Sequence, residues 1–223
     1  MKVFFLWIIC LLMACVFLYE ESKRQHIRGV CFKGLASLCF VMLCLQGAGP
    51  CRDHVLAQRV LAGSCLGASA DVILNLRKIF IKRRQYFFLA GTFVFLAGHV
   101  MYIMALIPKC SCVPVCFAAA FCLAALLIWQ IYQMITADTL FRVIGVLYIG
   151  TIMLMVCLAC GILFTDPSAF SGFFASGAML FLASDIILIL NAFGSESTES
   201  GHIINITLYY IGQLLIAGSL QFV

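Results

Sequence analysis

The chain predicts an all-α integral membrane protein, an eight-transmembrane-helix bundle built from two parallel four-helix repeats. Three observations predict it. Of 223 residues, 65% are hydrophobic and only 10% are charged, and the mean hydropathy is +1.14, a composition of membrane proteins rather than soluble domains. Eight apolar segments approach the roughly 20 residues needed to cross the hydrocarbon. Two of those segments carry an aspartate at equivalent places in similar surroundings.

The predicted spans run over about 3–19, 30–48, 55–76, 86–107, 113–134, 142–163, 170–192 and 203–222. They leave no separate soluble domain, so residues 1–223 read as a single membrane domain, with repeat 1 at about 1–109 and repeat 2 at about 110–223. Any chemistry must then come from helix side chains and short loops. The lipid bilayer is the expected surrounding, and no nucleic-acid partner is implied.

The first span, with Lys2, an apolar core and Leu12-Met-Ala-Cys15, has the outline of a cleaved leader. It pairs with the fifth span under the repeat, and its removal would break that symmetry, so it is expected to be kept. The second span carries Lys33 near one end. In the third, Gly63, Gly67, Asp71 and Asn75 recur every four residues, a small-residue stripe ending in two polar groups on one helix face. Small residues let helices approach closely in lipid, and the polar tip needs partners inside the protein. In the fourth, Gly91, Phe95 and His99 share a stripe, and His99 shares a face with Tyr102. The fifth is almost wholly apolar, like the first, and the sixth falls on the second under the repeat. The seventh carries Ser184 and Asp185, with Asn191 near its end, and the eighth carries Asn205, Tyr209 and Gln213 every four residues.

A constant shift of 114 positions relates the halves. It superposes Gly63 on Gly177, Leu66 on Leu180, Asp71 on Asp185, Leu74 on Leu188, Leu76 on Leu190, and Gly98-His99 on Gly212-Gln213. The shift spans an even number of helices, so both halves keep one orientation, as in parallel repeats related by an axis along the membrane normal. The third, fourth, seventh and eighth spans are then expected to face one another around a polar cavity with both aspartates at one depth. A carboxyl within the bilayer costs several kcal/mol unless paired, hydrated or protonated, which makes it a functional candidate.

Charge sets the orientation. The loops after spans one, three, five and seven, with Lys33 just inside the second, hold ten of the 14 Lys and Arg, including Lys23, Arg24, Arg28 and the run from Arg77 to Arg84. The other side has Lys2, Arg52, Arg59 and Lys109. Basic loops face the cytosol, in a bacterial inner membrane or the endoplasmic reticulum, and both termini face away from it. The segment from Gly194 to Gly201, with Glu196 and Glu199, reads as an exposed linker.

Most of the 13 cysteines fall inside spans and act as small apolar residues. Cys157-Leu-Ala-Cys160 has metal-binding spacing but no second pair. Cys110, Cys112 and Cys116 cluster on the non-cytosolic side, where a disulfide is conceivable. His99 is the lone histidine inside a predicted span, so no metal and no cofactor is expected in the reaction. There is no Gly-x-Ser-x-Gly elbow and no phosphate-cradling glycine loop, which argues against serine esterase and nucleotide-dependent chemistry. A pair of buried carboxyls can share one proton and act as acid and base, with His99 as proton relay. A proton-coupled carrier of a small or lipid-like solute fits the same acids, although no proline interrupts spans three, four, seven or eight.

The small-residue run before Asp71, Gly98-His99-x-x-Tyr102, Gly177-Ala-x-Leu-Phe-x-x-Ser184-Asp185 and Tyr209-Tyr-x-x-Gln213-Leu-Leu together resemble the YhhN-like lysoplasmalogenase family along essentially the whole chain. One departure is Ala70, where that family usually has glycine. The resemblance implies an ether hydrolase that cleaves the vinyl ether bond of lysoplasmalogens to a fatty aldehyde and glycerophosphocholine or glycerophosphoethanolamine. It implies Asp71 and Asp185 as the catalytic pair and the lysophospholipid as partner. Lys33 resembles a family position that would meet the substrate phosphate; its alternative is an ordinary lysine reaching to the headgroups. Asn75, Tyr102, Ser184, Tyr209 and Gln213 are the expected substrate-binding residues. For Tyr102, Tyr209 and Gln213 the alternative is that they satisfy one another across helices, and for Asn75 that it caps a helix end.

Overall fold

A computed structural model describes residues 2–136, 138–194 and 198–223 of the chain. Eight α-helices follow in order: α1 (Lys2–Ser22), α2 (His26–Ala48), α3 (His54–Leu76), α4 (Arg84–Leu106), α5 (Val113–Met134), α6 (Thr139–Thr165), α7 (Ala169–Phe193) and α8 (Glu199–Ser219). Short 3-10 turns precede and follow α4 and close the chain at Leu220–Phe222. All eight helices are long and apolar enough to cross a membrane, and no strand occurs among the described residues. The protein is therefore an all-α, multi-pass membrane protein.

Local chemistry sets the helix ends. Arg24 adopts a left-handed φ of 57°, and the Gln25 amide donates back to the Glu20 carbonyl at 2.9 Å, closing the turn between α1 and α2. The Asp53 carboxylate caps α3 by accepting from the Leu56 amide at 3.0 Å. Pro114 opens α5 where a missing N–H costs nothing, and Ser168 and Ser171 cap α7 reciprocally. The linker expected at 194–201 is shorter than predicted, because α8 already begins at Glu199; Glu196 lies outside the described residues.

The chain divides into two compact units, Met1–Tyr102 with Ala217–Val223, and Ile103–Ile216. In the first, α1 packs on α2, α2 on α3, and the C-terminal turn on α2. There Gln221 Nε2 donates to the Leu43 carbonyl at 3.2 Å. In the second, α5 packs on α6 and α6 on α7, and the Thr136 amide donates to the Phe193 carbonyl at 3.0 Å, tying the end of α5 to the end of α7. Helices α1 and α5 leave many apolar side chains exposed, among them Phe4, Phe5, Leu12, Phe121, Leu126 and Trp129, as a lipid-facing surface requires.

Each unit contains a close helix crossing at paired glycines. In the first, a Cβ added to Gly63 would lie 3.0 Å from the Gly98 carbonyl oxygen, and one added to Gly98 would lie 3.1 Å from that of Gly63. In the second, the corresponding distances are 2.7 Å from Gly177 to the Gly212 oxygen and 2.9 Å from Gly212 to the Gly177 oxygen. These are the same two pairs that the 114-residue shift relates. Main chain meets main chain here, so neither side can yield without parting the helices. Gly177→Ala is expected to destabilise the fold by about 1–3 kcal/mol through overpacking. Gly172→Ala on the same helix, with nothing within 4 Å, is the tolerated control. Thermal unfolding in detergent reads both.

Candidate functional site

All nine residues expected at the site are buried. In the first unit, Asp71 lies on the stripe face of α3, where Gly63, Gly67 and Asn75 are buried with it. Its neighbours come from α2. Ser37 Oγ donates to Asp71 Oδ2 at 2.6 Å, and Lys33 Nζ is 3.2 Å from Asp71 Oδ1. Lys33 and Ser37 are four apart and so share a face of α2. The Lys33 ammonium also lies 5.4 Å from the centroid of the Phe17 ring, within the range of a cation–π contact. Lys33 is thus turned inward onto the acid, and only 11% of its side chain is exposed.

Further along α4, His99 packs between the rings of Phe95 and Tyr102, with centroids 5.9 and 6.3 Å away. The Tyr102 hydroxyl lies 3.2 Å from Ser64 Oγ, so a described partner of this phenol is a neighbouring serine on α3. The amide nitrogen of Asn75 is buried with no hydrogen-bond partner among the described residues. With Phe17, Glu21, His26, Gly29, Val30 and Lys78, Asn75 lines a narrow crevice. Lys78 is ion-paired with Glu21, and burial pulls its ammonium down to about 8.

In the second unit, Asp185 lies on the buried face of α7 and accepts from the Tyr148 hydroxyl of α6 at 2.9 Å. Beside it, Asn205 Nδ2 of α8 donates to the Ser184 carbonyl at 2.7 Å and lies 3.0 Å from Ser184 Oγ. These contacts lock α8 to α7 one residue from the acid. Tyr209 packs edge-on against Phe181 and Tyr210 at centroid distances of 5.4 and 5.0 Å, and Gln213 is fully buried one helical turn further on. Asn191, near the end of α7, accepts from the Thr198 amide, just before α8, at 2.7 Å.

Both acids take a hydrogen bond from the helix that precedes theirs, α2 for Asp71 and α6 for Asp185. The donors differ, serine with a lysine ammonium in one unit and a tyrosine in the other. Sequence reasoning missed Ser37 and Tyr148. The four-residue spacing of Lys33 and Ser37 was the available signal for the first; Tyr148 had none.

Eight membrane helices carrying two buried, hydrogen-bonded carboxyls, one in each unit, define a polytopic membrane protein with acid–base groups held inside its fold. The model of the YhhN family matches residues 29–220, and the chain belongs to that family. No curated protein and no solved structure matches it.

Proposed function

We propose that the chain is an intramembrane lysoplasmalogenase that hydrolyses the vinyl ether bond of lysoplasmalogens by acid–base catalysis. One observation carries the reading: two carboxyls are buried within apolar helices, each held by a side-chain hydrogen bond, with Ser37 and Lys33 at Asp71 and Tyr148 at Asp185. Acid–base cleavage needs a proton donor and a proton acceptor, and a pair of carboxyls can supply both. Membership of the YhhN family is consistent with this activity.

In this reading Asp185 is the acid and Asp71, ion-paired with Lys33, the carboxylate. Asp185 gives its proton to the alkene carbon away from oxygen, and the electron pair of the double bond forms the new C–H bond. The oxygen lone pair then stabilises an oxocarbenium ion. The Asp71 carboxylate offsets that charge and takes a proton from the water that attacks the cationic carbon, as the carboxylates of glycosidases do. The hemiacetal collapses to a fatty aldehyde and the glycerophospho-alcohol, and proton exchange restores the starting state of each carboxyl, with His99 as the relay on the Asp71 side. Lys33 is ion-paired with Asp71, and the Asn75 amide nitrogen meets the polar end of the substrate. Tyr102 in the first unit and Ser184, Tyr209 and Gln213 in the second are the further substrate-binding residues of this reading.

Purified protein in detergent, given an alkenyl lysophospholipid with a choline or ethanolamine headgroup, is expected to release fatty aldehyde. Absence of aldehyde together with pH-dependent solute uptake into proteoliposomes would replace the hydrolase with a carrier. The continuous helices α3, α4, α7 and α8 lack the breaks through which carriers commonly bind their ions.

A further inference from the structure

Three cysteines outside the candidate site converge in the second unit. Cys110 follows the turn after α4, Cys112 immediately precedes α5, and Cys116 lies in the first turn of α5. Their sulfurs form a nearly equilateral triangle, with edges of 3.8 Å (Cys110 to Cys112), 3.7 Å (Cys110 to Cys116) and 3.7 Å (Cys112 to Cys116). This is the one group of three or more metal-ligating side chains to converge among the described residues.

The edge length is informative. Thiolates bound to a tetrahedral zinc ion at about 2.3 Å lie about 3.8 Å from one another, the edge of the coordination tetrahedron. A disulfide makes a different demand: it draws two sulfurs to about 2.05 Å and leaves the third behind. Three equal edges are what a shared central ligand needs. Gly161 on α6 supplies a second, independent feature. A Cβ there would lie 2.5, 3.2 and 3.4 Å from the sulfurs of Cys116, Cys112 and Cys110, so only a residue without a side chain leaves room for all three. Cys110 and Cys116 are buried and Cys112 is half-buried, which gives an ion a way in.

We propose that Cys110, Cys112 and Cys116 bind one thiophilic divalent metal ion of the zinc class, with Gly161 as the floor of the site and a fourth coordination position left open. The bound ion fastens the α4–α5 connection to the start of α5, beside α6. Each thiol gives up its proton on binding, so affinity rises with pH and weakens on acidification. The inference is independent of the hydrolase reading.

The test uses the full chain in detergent, reduced and stripped with a chelator, then supplied with Zn²⁺ alone or with Co²⁺ as a spectroscopic probe. One metal ion per chain is expected, with a thiolate-to-cobalt charge-transfer band in the near ultraviolet. Cys112→Ser and Gly161→Ala are each expected to weaken binding by at least about 10-fold, and Cys157→Ser to leave it unchanged. Failure of the reduced chain to retain metal, or full retention by Cys112→Ser, would overturn the site. So would a disulfide among the three cysteines in protein isolated under thiol-blocking conditions.

Discussion

Asp71→Asn and Asp185→Asn are each expected to lower aldehyde release by about 10²- to 10⁴-fold, the contribution of a positioned proton donor or acceptor. Asparagine keeps the shape of the side chain and an oxygen that can accept from Ser37 or Tyr148, so hydrogen bonding survives while proton transfer does not. The two variants are not equal in stability. Asp185→Asn weakens a bond from a neutral phenol. Asp71→Asn removes the carboxylate facing the buried Lys33 ammonium and destabilises the fold as well. Full aldehyde release by either variant would remove that acid from the mechanism.

The second large effect separates these two losses. Lys33→Met is expected to cost about 3–5 kcal/mol, the usual penalty for breaking a buried ion pair from one side. The penalty comes mainly from the charge left behind, because a buried carboxylate without its cation is costly. Adding Asp71→Asn to Lys33→Met removes the stranded charge, so the double variant is expected to recover much of the lost stability and to remain inactive. Thermal unfolding of the two single variants and the double variant in one detergent gives the coupling directly. Purely additive losses would show that Lys33 and Asp71 do not act as a pair.

Much of this was legible in the sequence, for identifiable reasons. Eight spans followed from apolar run length, because bilayer thickness fixes how many residues a crossing needs. The predicted ends fell short at α1, which continues to Ser22, at α2, which begins at His26, and at α8, which begins at Glu199. Polar residues such as His26, Arg28 and Glu199 end the hydropathy signal, but backbone hydrogen bonding continues through them, so helices outrun the hydrocarbon. Asp71 and Asp185 stood out because ionisable groups are rare in such segments. The buried stripe of Gly63, Gly67, Asp71 and Asn75 followed from helical period alone.

What touches the acids was much less legible. Ser37 and Tyr148 are common polar residues in apolar helices, and a serine or tyrosine there carries no mark of its partner. Their pairing depends on how α2 is rotated against α3, and α6 against α7, which packing decides and spacing does not. The same holds for Lys33: its position near a helix end fitted a headgroup contact, whereas the side chain lies against Asp71 and Phe17. Cys110, Cys112 and Cys116 left a disulfide open by proximity in sequence, and only the equal sulfur separations and Gly161 point to a metal site instead.

The central claim is carbon protonation of a vinyl ether by a buried acid, and aldehyde release in D₂O tests it most directly. Lysoplasmalogen is supplied to the purified protein, the aldehyde is trapped at once by reduction, and its isotopic content is read by mass spectrometry. The account predicts one deuterium on the carbon next to the former carbonyl and no cleavage of the saturated alkyl ether analogue. Aldehyde without that deuterium, or equal cleavage of the alkyl ether, would contradict it.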